Sequence, residues 1–184
     1  MAPFESLRNE HALILKVLGA LERYCDRLEE DPAVDLSDLA AFARFFTTFS
    51  ELWHHAKEED VLLPALVKRG FSWDAAPLSR VREEHEQETY LVRVLAQAAG
   101  QEPPITAEDR RHAVATVRGL VAFERRHIRG EEQVLLPGAA ERLSSAEIVE
   151  LETRFRELDL HRFGADYVTI TRAAEELCAR YPSG

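Results

Sequence analysis

The sequence predicts an all-α fold: an up-down-up-down four-helix bundle made of two repeated helix hairpins, with an additional C-terminal helical segment. Three observations carry this expectation. Gly and Pro are sparse, eight of each in 184 residues, while Ala, Leu, Glu and Arg dominate, a composition that favours helices over strands. Apolar residues recur at helical spacing over long stretches. A long motif also appears twice, 73 residues apart, and such repetition marks a duplicated supersecondary unit.

The first helix is expected from about Ser6 to Glu30, where Leu7, His11, Ile14, Leu18, Leu21, Cys25 and Leu28 form one stripe. Asp31-Pro32 breaks it. The second runs from roughly Asp35 to Leu63 on the stripe Leu36, Ala43, Phe46, Ser50, His54, Glu58 and Val61, and Pro64 bends or ends it. Gly70 to Pro77 reads as a loop. The third helix, about Leu78 to Ala99, turns Leu78, Val81, His85, Val92, Leu95 and Ala99 inward, and Gly100 to Pro104 forms the next turn. The fourth, about Ala107 to Leu136, turns Ala113, Leu120, Phe123, His127, Glu131 and Val134 inward.

Ser144-Ser145-Ala146-Glu147 is a capping-box pattern that opens a further helical segment, interrupted near Gly164. It has no counterpart in the repeat. The expected organisation is therefore a bundle over residues 1–143 and a C-terminal extension over 144–184 packed on it as a cover. The length suits one domain with a sizeable core.

The repeated motif is His-x-x-x-Glu-Glu-x-Val-Leu-Leu-Pro, at His54 to Pro64 and again at His127 to Pro137. Residues i and i+4 share a helix face, so each copy offers an imidazole and a carboxylate to one point. That pairing suits a transition metal, and two copies suggest a two-metal site. The repeat extends upstream: Asn9-Glu10-His11 precedes the first copy and Glu83-Glu84-His85 the second. In an antiparallel hairpin, residues equidistant from the turn lie at one height. The midpoint of His11 and His54 falls between Pro32 and Ala33, and that of His85 and His127 at Thr106, both at predicted turns. Four histidines and two glutamates thus reach one layer. Burying them without a partner would cost ~1–3 kcal/mol for each unsatisfied group, and a metal pair satisfies them together.

Other residues fall outside that set. His55 is turned about 100° from His54, towards the polar stripe of Arg44, Thr48, Glu51 and Glu59, and reads as solvated or as a support for the ligands. His112 lies about 22 Å along the helix from His127. His161 belongs to the unrepeated segment, and Cys25 reads as a small core residue. Glu51-x-x-His54 and Glu124-x-x-His127 also match the Glu-x-x-His pattern of ferritin-like di-iron proteins. That reading leaves His11, His85, Glu58 and Glu131 unexplained. It ranks second, with Glu51 and Glu124 kept as groups that could orient an imidazole.

Taken together, the early His and His-x-x-x-Glu-Glu-x-Val-Leu-Leu-Pro, each occurring twice from about Leu7 to Pro137, resemble the hemerythrin-like (HHE cation-binding) family. The resemblance implies a non-haem di-iron centre of the Fe-O-Fe type with two bridging carboxylates and an oxo or hydroxo bridge. It implies His11, His54, His85 and His127 as terminal ligands and Glu58 and Glu131 as bridges, with manganese or zinc as possible substitutes for iron. The oxygen carriers of that family have a fifth histidine one turn after the first on the third helix, where this chain has Thr89. One more open position favours reactivity or sensing over dedicated oxygen carriage.

The formal charge of −10 argues against nucleic acid or an anionic membrane as partner. Two cysteines without a Cys-x-x-Cys pattern suggest no disulfide framework. No signal peptide or bilayer-length apolar run is expected, and a cytoplasmic protein follows as the default. The functional expectation is binding of, or reaction with, a small oxidant (O2, NO or H2O2), served by a separate redox or signalling partner and linked to oxidative or nitrosative stress. Iron handling or iron–sulfur cluster repair is the alternative.

Overall fold

The computed structural model describes residues 3–31, 33–34, 36–100 and 106–182, without the side chains of 162–165. Pro32, Asp35 and the Gly100–Pro104 turn beyond Gly100, which the sequence reading used as breakpoints, lie outside the described residues. The first helix, α1, is Pro3–Glu30. The second, α2, spans 37–68, with α-helix at Ser37–Phe45, His55–Lys57 and Leu63–Lys68 and π-helical turns at Phe46–His54 and Glu58–Leu62. Leu78–Ala99 is α3. The fourth, α4, spans 107–142 and contains a π-helical segment at Glu131–Leu135. Ser145–Leu158 is α5, and a π-helical link at Asp159–Phe163 leads to α6, Gly164–Arg180. No strand occurs among the described residues. The chain is all-α, as its composition and periodicity predict.

Cross-helix pairs fix the directions. Glu22 meets Arg125 and Glu29 meets Arg118, so α4 descends as α1 rises. Glu88 meets His55 and His85 meets Glu59, which gives the same antiparallel sense to α3 and α2. Thr106 caps α4 with a reciprocal Thr106–Asp109 capping box, and Ser144 caps α5 with the Ser144–Glu147 box that the sequence announces.

Pro64 and Pro137 do not end their helices. The second helix continues to Lys68 and the fourth to Arg142. A proline lacks the N–H that would bond the carbonyl four residues back, and its ring crowds that carbonyl. In both copies the turn just before the proline is π-helical, the wider form in which such a register break is absorbed.

Two apolar clusters flank one polar layer. The larger holds Ile14, Phe46, Phe49, Val92, Leu120 and Ile128, and the smaller holds Leu7, Val61, Leu62, Val81, Leu135 and Leu136. On each of the four helices the repeated His and Glu residues sit between a member of one cluster and a member of the other. The C-terminal helices pack on α1 and α2. Ala174, Leu177, Cys178 and Tyr181 join the larger cluster, while Leu151 and Phe155 join the smaller. No helix among the described residues is long and apolar enough to cross a membrane.

Candidate metal centre

The polar layer collects all six repeated residues. His11, His54, Glu58 and Glu131 form one group, and His85 and His127 form a second with His55; within each group one donor atom per residue lies within 4.8 Å of the others. All seven side chains are buried. Facing donors stand 3.1 Å apart for His11 Nε2 and His54 Nε2, 3.3 Å for His85 Nε2 and Glu58 Oε2, and 3.3 Å for His127 Nε2 and Glu131 Oε1. Two donors bound at about 2.1 Å at right angles on one ion are about 3 Å apart, so these separations are compatible with a shared metal ion. Glu131 divides its oxygens: Oε2 lies 3.2 Å from His11, and Oε1 faces His127 and, at 3.7 Å, His85.

The outer edge of each imidazole is held by a second set of acids. His11 Nδ1 donates to Glu132 at 2.8 Å, His54 Nδ1 to Glu10 at 3.0 Å, His85 Nδ1 to Glu59 at 2.6 Å and His127 Nδ1 to Glu84 at 3.0 Å. A carboxylate only accepts, so each Nδ1 carries a proton and Nε2 is the nitrogen that faces inward, able to offer its lone pair once any proton on it is displaced. The pattern has the symmetry of the repeat. The acid before each early His holds the late His of its own half, and the second Glu of each Glu-Glu pair holds the early His of the other half.

These four acids stand in the repeated residues, yet the sequence reading kept Glu51 and Glu124 for the role instead. Neither belongs to the two donor groups. The repeated Glu-His and Glu-Glu dipeptides were the available signal.

His55 corrects the sequence reading more sharply. It is not on a solvated stripe: it is 5 % exposed, stacks on His85 with ring centroids 3.6 Å apart, and places Nε2 2.9 Å from Glu88. Six consecutive residues, Trp53 to Glu58, are buried. The assumption of one inward stripe fails because α2 is enclosed by three neighbours. His54 reaches α1, His55 reaches α3, and Trp53 and Lys57 lie under the C-terminal segment. Lys57 pairs with Glu10 and, at 2.7 Å, with Asp159, and sits over the Trp53 ring at 5.2 Å. The charge of this buried ammonium thus bears on the acid that orients His54.

His112 and His161 are exposed, and Cys25 is buried in the larger apolar cluster, where its thiol approaches the Val114 carbonyl; none of the three belongs to either donor group. Val134, expected inward, is 57 % exposed, and the next residue but one, Leu136, is buried beside Leu135.

The carboxylates of this layer favour the charged form of three of its imidazoles. Burial lowers the affinity of the His11 imidazole for a proton, but Glu131 outweighs it and the pKa rises to about 9. His85 and His127 rise against the same burial penalty, through Glu131 and Glu58 for the first and chiefly Glu131 for the second. Burial pushes the Glu131 carboxyl up, yet His127, His11 and His85 hold it well below the usual carboxylate range. In contrast, burial drives His55 down and Glu124 far up, the latter helped by the Glu88 charge.

The atoms left over identify what would fit. His55 Nε2, His85 Nε2, His127 Nε2 and both oxygens of Glu58 and Glu131 have no hydrogen-bond partner although they are buried. Such groups are normally satisfied. Imidazole nitrogens and carboxylates converging in a dry layer are a donor set for a first-row transition ion.

A model of the hemerythrin HHE cation-binding domain matches residues 2–139. The chain belongs to the hemerythrin HHE cation-binding domain family. The matched span covers the four bundle helices up to Ala139 and every residue of the polar layer. No curated protein and no solved structure matches the chain. Family and geometry together point to a metal-binding site in the polar layer of this HHE domain.

Proposed function

We propose that the layer holds two iron ions and that the protein binds, or reacts with, a small oxidant: O2, NO or H2O2. His11 and His54 would hold one ion and His85 and His127 the other, with the carboxylates of Glu58 and Glu131 available to both. The observation that carries this reading is the division of Glu131 between the two histidine groups, one oxygen to each. Manganese or zinc suits the same donors. Bound iron would supply reversible one-electron chemistry and an exchangeable coordination position.

The chain's own residues do the rest. Glu10, Glu59, Glu84 and Glu132 keep each imidazole in the tautomer that faces inward. The two apolar clusters exclude bulk water from the layer, while Phe123 lies parallel to His127 with centroids 6.2 Å apart and limits its tilt. Access is built in as well. A cleft of about 350 Å³ lined by Glu51, His55, Glu59, His85 and Thr89 opens beside two of the imidazoles. Thr89, which stands where the oxygen carriers have a histidine, leaves that cleft open.

Asp60 and Glu86 also line the cleft, and an acidic lining attracts cations. That observation supports the second reading, in which iron enters and leaves for storage or repair. With either reading we propose a cytoplasmic protein served by a separate redox or signalling partner.

The test is the optical spectrum of anaerobically iron-loaded protein as oxygen is admitted and removed. A charge-transfer band that forms and reverses supports binding. An irreversible change supports turnover of the oxidant, and rapid loss of iron to a chelator without spectral change supports iron handling. No iron-dependent spectrum at all would overturn the proposal.

A further inference from the structure

The repeat pairs each residue of the first half with one 73 or 74 positions later, and the outer acids obey that pairing. What stands behind those acids does not. Glu84 is met by Arg80, one turn earlier on its own helix, and Glu132 by Arg8; both arginines are exposed. The Glu59 side chain itself reaches solvent. Glu10 differs, because the cation behind it is Lys57, only 2 % exposed. The position that corresponds to Lys57 in the second half holds Gly130.

An ammonium withdrawn from water is stable only where carboxylates face it. Lys57 has two. It donates to Glu10 Oε1, while the other Glu10 oxygen accepts from His54 Nδ1 at 3.0 Å. It also stands 2.7 Å from Asp159 Oδ1, and Asp159 opens the π-helical link between α5 and α6. Trp53 of α2 and Phe155 of α5 close the ammonium in, at 5.2 and 5.8 Å from their ring centroids. One chain of contacts therefore runs from an imidazole of the polar layer to the C-terminal segment: His54, Glu10, Lys57, Asp159. Each step crosses from one helix to another, from α2 to α1, back to α2, and on to the segment.

We infer that the C-terminal segment senses the occupancy of the His11–His54 position through Lys57, docking more firmly when an ion is bound there. The differential contact lies at Glu10, whose two oxygens are shared. An ion that holds His54 through Nε2 fixes the imidazole, so one Glu10 oxygen is kept for Nδ1 and one is left for Lys57. The buried ammonium then needs Asp159. With no ion, His54 is free to turn, both Glu10 oxygens can serve Lys57, and the segment loses that hold. Linkage makes the effect reciprocal: the docked segment raises the affinity of the position for its ion by the same factor. This inference rests on the metal reading of the polar layer, and it requires no particular oxidant.

Hydrogen exchange of the full chain, metal-free and saturated anaerobically with iron(II), tests it. In the wild type, iron should slow the amides of Phe155–Leu160 by about tenfold beyond any slowing in α3, which serves as the internal reference. Lys57→Met removes the ammonium from the chain of contacts and should abolish that excess at saturating iron(II). Asp159→Ala gives an independent arm on a half-exposed residue: one iron should bind about fivefold or more weakly in competition with a chelator. Equal excess slowing in wild type and Lys57→Met, or unchanged affinity for iron in Asp159→Ala, would overturn the inference. Metal analysis beforehand separates the other failure, since a wild type that binds no iron brings down the metal reading and the inference with it.

Discussion

The two halves of the bundle carry the same motif but live in different surroundings. In the first half, Trp53 to Glu58 are buried without a break, and Val61 is 2 % exposed. In the second half, the counterparts Arg126 and Arg129 face solvent, and Val134 is 57 % exposed. The cause is the C-terminal segment, which packs over α1 and α2 and has no equivalent on the other side. Duplication builds a symmetric set of ligands and outer acids. Asymmetry comes from what was added around it: a cover on one half, and the His55–Glu88 pair on one side of the polar layer. The symmetric part carries the donor groups that suggest a metal-binding site, and the asymmetric part makes the two sides of the layer unequal.

The comparison can be broken most severely at the shared carboxylate. Glu131→Ala removes the one side chain whose two oxygens serve both groups, so loss of both irons is expected, read by metal analysis of the folded protein. Retention of two irons would mean that the groups are independent. Next in size is the contrast between His55→Ala and Ile128→Ala. The first should lose or loosen one iron with helix content intact. The second should keep both irons and lose ~2–5 kcal/mol of stability as a buried aliphatic truncation. Equal effects on iron would erase the difference between the halves.

The outer acids test the symmetric part. Glu59→Ala and Glu132→Ala should each weaken iron binding by ~10–100-fold, in an equilibrium titration with a competing chelator. An unchanged affinity in both would leave the orienting role unsupported.

A pH series on the metal-free protein follows from His11. Its folded pKa of about 9 lies above the ordinary histidine value of 6.5, so its contribution to stability is complete below about pH 6.5 and is lost as pH rises through 9. The melting temperature of metal-free protein should therefore fall across that window, while iron affinity rises because a proton no longer has to be displaced. A flat profile in both would contradict the assignment of the proton to His11. The smallest contrast concerns the cover. Val61→Ser should cost ~1.5–3 kcal/mol, whereas Val134→Ser should stay within about 0.5 kcal/mol, both by denaturant unfolding.

Periodicity made the helices readable, and the doubled motif brought out His11, His54, Glu58, His85, His127 and Glu131, which the fold does gather. Three features escaped for identifiable physical reasons. His55 reads as solvated or as a support for the ligands because a single inward stripe is assumed for α2, which at that height packs against three neighbours. Pro64 reads as bending or ending its helix and the fourth helix is expected only to about Leu136, whereas π-helical turns ahead of Pro64 and Pro137 let both helices continue. The outer acids were overlooked because Glu-x-x-His drew attention to Glu51 and Glu124, while the repeated Glu10, Glu59, Glu84 and Glu132 lay beside the ligands in the sequence itself.

The most direct test of the central claim is an anaerobic iron(II) titration of the full chain, with metal counted per folded protein. Two irons per chain are expected, falling to none in Glu131→Ala. One iron or none in the wild type, or two that survive Glu131→Ala, would contradict the account.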